Sequence, residues 1–376
     1  MNSRQRVLSA INHRPLEDSF PIDLGGPISG ISKIAYDRYL ERYASHLYPS
    51  ILCDRFQQLG CIHEEILKRW KVDTRHICVG FQSTDIDEYH YYDGFGVKYR
   101  GVFSPYYNKI LYFDQIEWPL KDSRNIKDIE SFNWPKIKEG KLEEVSKQVN
   151  ELYNQNEHAI ILDAPTGGIL ESCTWIVGLN AFFTDLYQHY DFFDYLIDKI
   201  AHNVFIPYWE ETLRELGEYV DIVLIGDDFG MQDRMIISPR MFRELVKPRL
   251  RDVIITIKKS ANVKVMLHSC GSIFPIIDDL IEIGFDILNP LQPQAKNMDH
   301  QKIKEKFGKK LCLHGGVDIQ RVMPRSTQEE VQQEIQSVLT TLGVDKTGYI
   351  LATAHNILAD VPAENINAYI SSPRIY

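Results

Sequence analysis

Short runs of apolar residues alternate with longer amphipathic stretches along this chain, and this alternation limits the fold more than any other feature. Continuous runs rich in Val, Ile and Leu are typical of strands that are buried on both faces of a parallel sheet. The stretches between them have the apolar spacing of helices. The expected strands lie at residues 20–26, 75–80, 159–163, 220–226, 263–268, 286–289, 310–314 and 349–355.

These eight strand and helix units predict the α/β class, with a single closed TIM barrel over residues 1–376. An open dinucleotide-binding sheet is a poorer match. That fold carries a Gly-x-Gly-x-x-Gly loop after its first strand, and no such loop follows residues 20–26 here.

The chain before residue 159 departs from the regular alternation. Residues 32–48 and 53–70 have helical apolar spacing, whereas residues 85–118 are aromatic and rich in turn formers. We predict an N-terminal β-hairpin insertion at about 85–118. Its tyrosines either cover the mouth of a site or pack a small surface sheet.

Polar side chains end most of the predicted strands, and catalytic groups of a TIM barrel lie at these carboxyl ends. Asp163 and Asp318 are expected to be turn formers or caps. Asp23, Asn289, Gln292 and His314 are expected to contact substrate. The full set is Asp23, Asp163, Asp227, Asp228, Gln232, His268, Cys270, Asn289, Gln292, His314, Asp318 and His355.

His268, Cys270 and His355 form the predicted metal site. His268 and Cys270 are two residues apart at a strand end, and the last strand of a closed barrel brings His355 to the same rim. Imidazole and thiolate are ligands that zinc favours, and three protein ligands with an open fourth position are typical of catalytic zinc. His314 is a fourth ligand, a partner of a ligand, or a rim histidine bonded to a backbone carbonyl.

Asp227 and Asp228 follow a very apolar strand, and adjacent strand residues point to opposite faces. One of them is therefore expected to face the barrel mouth, either as a general acid or base or as a carboxylate that holds a cationic group of the substrate, with Gln232 as a hydrogen-bond donor. The other is expected to cap the next helix, and capping by both is the alternative. The sequence does not decide which of the two faces the site.

Composition excludes several classes of partner. The formal net charge is −10 and no basic stripe occurs, which argues against nucleic acid. No run is apolar enough to span a membrane and the first residues lack a signal-peptide core, so we expect a cytoplasmic protein. The six cysteines have no framework spacing, and reduced thiols are expected.

Several motifs, in this order and spacing, resemble the uroporphyrinogen decarboxylase superfamily over nearly the whole chain. The resemblance implies a TIM barrel with its site at the carboxyl rim. It also places His355 at the position of a late histidine of the decarboxylase. The motifs are residues 6–15, 268–271 (His-Ser-Cys-Gly), 284–289, 315–318 (Gly-Gly-Val-Asp), 351–355 (Leu-Ala-Thr-Ala-His) and 361–365.

Two activities of this superfamily are relevant. The decarboxylase, which acts on tetrapyrrole acetate arms in porphyrin biosynthesis, has an arginine-rich N-terminal loop, and residues 23–30 contain no arginine here. The cobalamin-dependent methyltransferase branch, of the methylcobamide:coenzyme M type, carries His-x-Cys and a late third zinc ligand, usually Cys. His268 and Cys270 match, and His355 stands where that Cys falls.

The resemblance therefore implies a zinc-dependent methyltransferase. It would move a methyl group between a small methyl donor or thiol acceptor and a corrinoid carried by a separate partner protein. A uroporphyrinogen-type decarboxylase and a non-catalytic barrel that binds a tetrapyrrole or corrinoid are the alternatives. The sequence leaves the donor, the acceptor and the oligomeric state open.

Overall fold

Parallel strands make up the centre of the structure, a computed structural model that describes residues 1–374. An antiparallel sheet and a two-stranded ribbon lie beside them. The strands in chain order are β1 (Leu52–Asp54), β2 (Leu59–Gly60), β3 (Thr74–Cys78), β4 (Thr84–Asp85), β5 (His90–Tyr92), β6 (Lys98–Ser104), β7 (Lys109–Glu117), β8 (Ala159–Asp163), β9 (Ile222–Gly226), β10 (Lys264–His268), β11 (Ile287–Asn289), β12 (Cys312–His314) and β13 (Tyr349–Ile350).

Helices follow most of the parallel strands and cover the outside of the sheet, which leaves strands such as β8 buried on both faces. They are α1 (Ser3–Ile11), α2 (Lys33–Tyr43), α3 (Glu64–Arg69), α4 (Ile126–Glu130), α5 (Lys141–Gln155), α6 (Ile169–Val177), α7 (Leu179–Asp185), α8 (Tyr190–Ile200), α9 (Ile206–Leu216), α10 (Pro239–Met241), α11 (Lys247–Ser260), α12 (Ile277–Ile283), α13 (His300–Phe307), α14 (Val322–Arg325), α15 (Gln328–Leu342) and α16 (Ala363–Ser371). Single turns of 3₁₀ helix lie at Ser45–Leu47 and Phe274–Ile276, and π-helical turns at Ala201–Phe205 and Phe242–Val246.

The segment around Ile22 closes the parallel sheet into a barrel. The sheet runs in the order β3, β8, β9, β10, β11, β12, β13. At one edge, Ile22 pairs in parallel with Leu351, which follows β13. At the other edge, the Asp73 amide just before β3 donates to the Ile22 carbonyl at 3.0 Å. The segment therefore fills the eighth strand position, and the predicted TIM barrel is confirmed.

The first and last strands are shorter than the sequence predicts. Residues 20–26 pair with the sheet only around Ile22, because Gly25 turns the chain at a φ of +104°. At the other end β13 stops at Ile350, but Thr353 still bridges Val317 in the register that pairs His314 with Ile350, and Leu351 bridges Ile22 on the opposite edge. His355 follows these last pairs, and its ring centroid lies 5.3 Å from that of His268.

The register of the parallel sheet aligns polar residues at the carboxyl rim. His268 lies beside Gly226 on one side and Asn289 on the other. Leu288 lies beside Leu313, so Asn289 and His314 are the next pair along the same row. A Cβ atom on Gly226 would meet no other atom within 4 Å, so open space lies beside Gly226 at one end of this row.

The aromatic stretch forms a four-stranded antiparallel sheet, β4 to β7, rather than a single hairpin. Tyr91 and Tyr99 are buried and stack with ring centroids 4.8 Å apart, so these two tyrosines pack the sheet itself. The sheet also reaches the barrel rim, because the ring of Phe56 contacts both Tyr99 and Trp175 of α6.

Two expectations for residues 53–70 are wrong. We expected one helix, whereas β1 and β2 form an antiparallel ribbon and only α3 is helical. We also expected reduced thiols, whereas Cys53 and Cys61 form a disulfide across this ribbon; Cys78, Cys173, Cys270 and Cys312 are free. The turn at Gln58, with a φ of +55°, reverses a chain whose apolar spacing mimics a helix.

Residues 1–374 include no helix with both the length and the apolar character of a membrane span.

Candidate metal centre

His268, Cys270 and His355 come together at the carboxyl rim of the barrel. One potential ligand atom from each lies within 4.8 Å of those from the other two. His268 ends β10, Cys270 lies in the loop that follows, and His355 comes from the loop after β13. Residues more than eighty positions apart in the sequence therefore share one site because the barrel is closed.

The spacing of His268 and Cys270 matches that of two ligands of one zinc ion. Nε2 of His268 lies 3.5 Å from Sγ of Cys270. Ligands at ~2.1 Å (N) and ~2.3 Å (S) from a tetrahedral ion are about 3.6 Å apart. Two imidazoles and one thiolate are a donor set that zinc accepts, and three protein ligands leave a fourth position for another molecule.

His268 is oriented by a hydrogen bond on the far side of its ring. Its Nδ1 donates to Oδ1 of Asn289 at 2.5 Å, which leaves the Nε2 lone pair free on the side of Cys270. His355 is not yet oriented as a metal ligand, because the Asn356 amide donates to its Nδ1 at 2.8 Å. That bond places the ring proton of a neutral imidazole on Nε2, so His355 must exchange a proton or a hydrogen bond to bind a metal.

Burial favours the uncharged form of all three side chains. It lowers the pKa of His268, and together with the nearby charge of His268 it lowers the pKa of His355 to about 3. Burial, reinforced by Asp228 and Glu171, raises the pKa of the Cys270 thiol well above its usual range. Near neutral pH both imidazoles are therefore uncharged, whereas the thiol must lose its proton to bind a metal.

This difference predicts how zinc affinity depends on pH. We expect zinc to bind about tenfold more tightly for each pH unit between roughly 6 and 8, because binding releases one proton from Cys270. Competition with a chromophoric chelator, corrected for its own protonation, measures this slope. A slope near zero would mean that the thiolate exists without metal, and a slope near two that a histidine also loses a proton; either result contradicts the prediction.

The loop that carries Cys270 is held by two neighbouring side chains. The Cys270 amide donates to Oδ1 of Asp228 at 2.7 Å. Gln292 accepts from the Gly271 amide at 2.7 Å and donates to Sγ of Cys270 at 3.4 Å. Gly271 has a φ of +82° and packs against the backbone of Gly230, so the turn requires glycine.

Asp227 and Asp228 have different surroundings. Asp227 is fully buried and accepts from the amides of Leu170 and Glu171 at 3.0 Å, which caps the start of α6. Burial, only partly offset by these amides, raises the pKa of Asp227 to about 7. Asp228 instead lies beside Cys270, so it is the member of the pair that faces the trio.

The remaining predicted site residues divide into near and distant ones. Asn289 and Gln292 contact members of the trio directly. His314 does not contact the trio but is hydrogen-bonded to Asn289, and Asp23 is hydrogen-bonded in turn to His314. Gln232 is exposed, and its amide donates to the Gln294 carbonyl rather than toward the trio. Asp318 accepts from the amides of Gln320 and Arg321, as expected of a turn former.

Three features of the site did not emerge from the sequence. Asp163 was expected to be a cap, but it binds Nδ1 of His76 at 2.8 Å. His76 itself was not singled out because it lies inside β3 rather than at its end; its even spacing with Cys78 was the available signal. Glu171 also lies near the trio, and burial with Asp228 and Asp227 raises its pKa well above the usual range. In the sequence, Glu171 looks like any acidic residue in the first turn of a helix, so no signal marked it as part of the site.

Comparison with known proteins links the chain to one family. Residues 115–375 match the family model described as Uroporphyrinogen decarboxylase (URO-D). A Methylcobamide:CoM methyltransferase MtaA from Methanosarcina barkeri is 25% identical over 197 residues, 52% of this chain and 53% of that protein. The chain thus matches only about half the length of this relative.

Two further relatives cover more of the chain. A uroporphyrinogen decarboxylase from Aliivibrio salmonicida is 23% identical over 275 residues, 70% of this chain and 72% of that protein. The solved structure of a methyltransferase from Methanosarcina mazei superimposes with a TM-score of 0.65 at 16% identity, covering 99% of this chain and 98% of the other. At this identity the superposition supports the fold alone.

Proposed function

This chain belongs to the uroporphyrinogen decarboxylase family, and we propose that within it the protein is a zinc-dependent methyltransferase. It would transfer a methyl group between a corrinoid, carried by a separate partner protein, and a small thiol or other small methylated substrate. The observation that carries this proposal is the clustering of His268, Cys270 and His355. The cytoplasm, where thiols and corrinoid proteins are available, is the proposed location.

The three ligands would hold the zinc, and its chemistry when bound is to lower the pKa of a thiol and keep it as a thiolate at neutral pH. In the direction toward the thiol, the sulfur gains the methyl group and releases its proton. The cobalt keeps both electrons of the broken carbon–cobalt bond, so the reaction needs no external oxidant or reductant.

The side chains around the trio would bind and orient the reactants. Asp228 and Gln292 fix the Cys270 loop, and Asn289 fixes the ring of His268. Asp228 contacts the Cys270 loop, and we propose it as the acceptor for the proton released there. We place the methyl group to be transferred in the open space beside Gly226.

Decarboxylation is the second candidate, because the relative from Aliivibrio salmonicida covers more of the chain than the methyltransferase relative does. A substrate with many carboxylates needs free cationic partners. Residues 23–30 contain no arginine, and two arginines of neighbouring segments are already engaged: Arg55 pairs with Asp85 and lies 4.4 Å from the Tyr91 ring centroid, and Arg38 donates to the carbonyls of Ala359 and Val361. This favours the methyltransferase.

The test is to purify the protein without chelator, measure its zinc, and assay it with methylcobalamin and a panel of small thiols that includes 2-mercaptoethanesulfonate. Thiol-dependent loss of the methylcobalamin absorbance, with zinc present, supports the proposal. Coproporphyrinogen formation from uroporphyrinogen without zinc would support the decarboxylase instead. Corrinoid binding with neither turnover would support a non-catalytic binding barrel.

A further inference from the structure

A continuous chain of hydrogen bonds runs from the metal centre across the interior of the barrel. It begins at His268, passes through Asn289 and His314, and reaches Asp23. The bond lengths along it are 2.5 Å, 2.7 Å and 3.0 Å. Asn289 and Asp23 are fully buried and His314 is 1% exposed, so water does not compete for these bonds.

Each link in this chain has one consistent direction. Nδ1 of His268 donates to Oδ1 of Asn289, and Nδ2 of Asn289 donates to Nδ1 of His314. Nε2 of His314 then donates to Oδ2 of Asp23. Every donor therefore points away from the metal centre and toward the carboxylate of Asp23. Such an ordered chain polarises each member in the same sense.

At the Asp23 end of this series of hydrogen bonds, a buried histidine pairs with the carboxylate. Oδ1 of Asp23 accepts from Nε2 of His76 at 2.8 Å, and the other ring nitrogen of His76 lies 2.8 Å from Asp163. The hydroxyls of Ser29 and Thr74 also donate to Asp23. Burial alone would raise the pKa of Asp23, but His76 and His314 hold it well below the usual range. Asp23 is thus a negative charge that the fold maintains in its interior.

We propose that Asn289, His314 and Asp23 are positioning residues for the zinc ligand His268. They fix the ring so that Nε2 faces the metal, and they carry the negative charge of Asp23 through two side chains to increase the electron-donating strength of that nitrogen. This inference rests on the proposed function. It extends the direct carboxylate–histidine–metal arrangement by inserting an amide and a second imidazole between the carboxylate and the ligand.

Zinc affinity tests this proposal, and its measurement does not depend on turnover. His314→Leu and Asn289→Leu each interrupt the series of hydrogen bonds between His268 and Asp23, and we expect the zinc dissociation constant to rise roughly 10- to 100-fold. In His314→Gln the amide oxygen can accept from Asn289 and the amide nitrogen can donate to Asp23, so most of the affinity should return. Competition with a chromophoric chelator gives the constants, and the absorption bands of Co²⁺-loaded protein report the ligand field.

A matched control separates positioning from general damage to the fold. Asn365 is also a buried asparagine, and its amide donates to the carbonyls of Met323 and Ser326, which take no part in the hydrogen bonds between His268 and Asp23. Asn365→Leu should lower stability but leave zinc affinity and the Co²⁺ spectrum unchanged. If Asn289→Leu fails to fold, the His314→Leu and His314→Gln pair decides the question.

Two different failures can be told apart. If the wild-type protein binds no zinc, both the proposed function and this inference are overturned. If the wild type binds zinc and His314→Leu binds it equally well, or if His314→Gln is as weak as His314→Leu, the positioning role is overturned while the proposed function stands.

Discussion

Replacing Cys270 by alanine is expected to remove zinc from the purified protein and to abolish methyl transfer. Cys270 supplies the thiolate of the proposed site and the negative charge that offsets the metal, and its loop has no second thiol to replace it. Loss of a ligand exceeds loss of a ligand's hydrogen-bond partner, so we expect zinc affinity to fall by more than about 100-fold. Metal analysis and the methylcobalamin assay measure the two effects.

Cys312→Ala provides the control for this substitution. Cys312 is a fully buried free thiol in β12, so its replacement also removes a buried sulfur but touches no member of the trio. It should lose some stability and keep its zinc. Normal zinc content and normal turnover in both Cys270→Ala and His268→Ala would contradict the assignment of the metal site.

Replacing His76 by leucine is expected to lower the free energy of unfolding strongly. The ring of His76 lies between Asp23 and Asp163, which are 0% and 3% exposed, and it contacts both at 2.8 Å. Leucine would leave two buried carboxylates without their cationic partner. Removing one partner from a buried ion pair costs about 3–5 kcal/mol, which urea unfolding would measure.

His300→Leu is the matched control for His76→Leu. His300 is a half-buried histidine whose Nε2 lies 3.3 Å from the Leu291 carbonyl, with no carboxylate in hydrogen-bond contact among the described residues. Loss of that single bond should cost about 1 kcal/mol. Equal losses of unfolding free energy in the two variants would show that the buried charges around His76 are unimportant.

His76 also predicts how stability changes with pH. Burial opposes its charged form, but the carboxylates of Asp163 and Asp23 outweigh burial and raise its pKa to about 10 from an ordinary value of 6.5. A group whose pKa rises on folding stabilises the protein fully below pH 6.5, and this contribution is lost as the pH rises through 10. Burial raises the pKa of Asp163 even beside His76. The ionised Asp163 carboxylate is therefore destabilised in the folded state, which offsets part of the stabilisation that charged His76 contributes.

Urea unfolding at about pH 6.5 and about pH 10 would test this dependence. The free energy of unfolding of the wild type should decline over this range, and the decline should be smaller in His76→Leu. Parallel curves for the two proteins would contradict the prediction that His76 carries a charge in the folded state.

The barrel itself was predictable because its signal is local and repeated. Strands β8 and β10 are continuous apolar runs, and helices such as α15 begin at a capping box that the sequence displays, with Thr327 as N-cap and Glu330 three residues later. Residues 53–70 were mispredicted because their apolar spacing is equally compatible with a helix, and the turn at Gln58 and the Cys53–Cys61 disulfide depend on contacts that spacing does not reveal.

The sequence by itself determined which donors are available and that they follow strands at one rim, because a continuous apolar run followed by polar residues marks a strand end at the barrel rim. His268, Cys270 and His355 were identified in this way. Only the tertiary structure decided the partners: that Asp227 caps a helix while Asp228 holds the Cys270 loop, and that Asn289, His314 and Asp23 connect in series. These contacts depend on register and on the closure of the ring, which bring side chains from distant parts of the chain within hydrogen-bond distance.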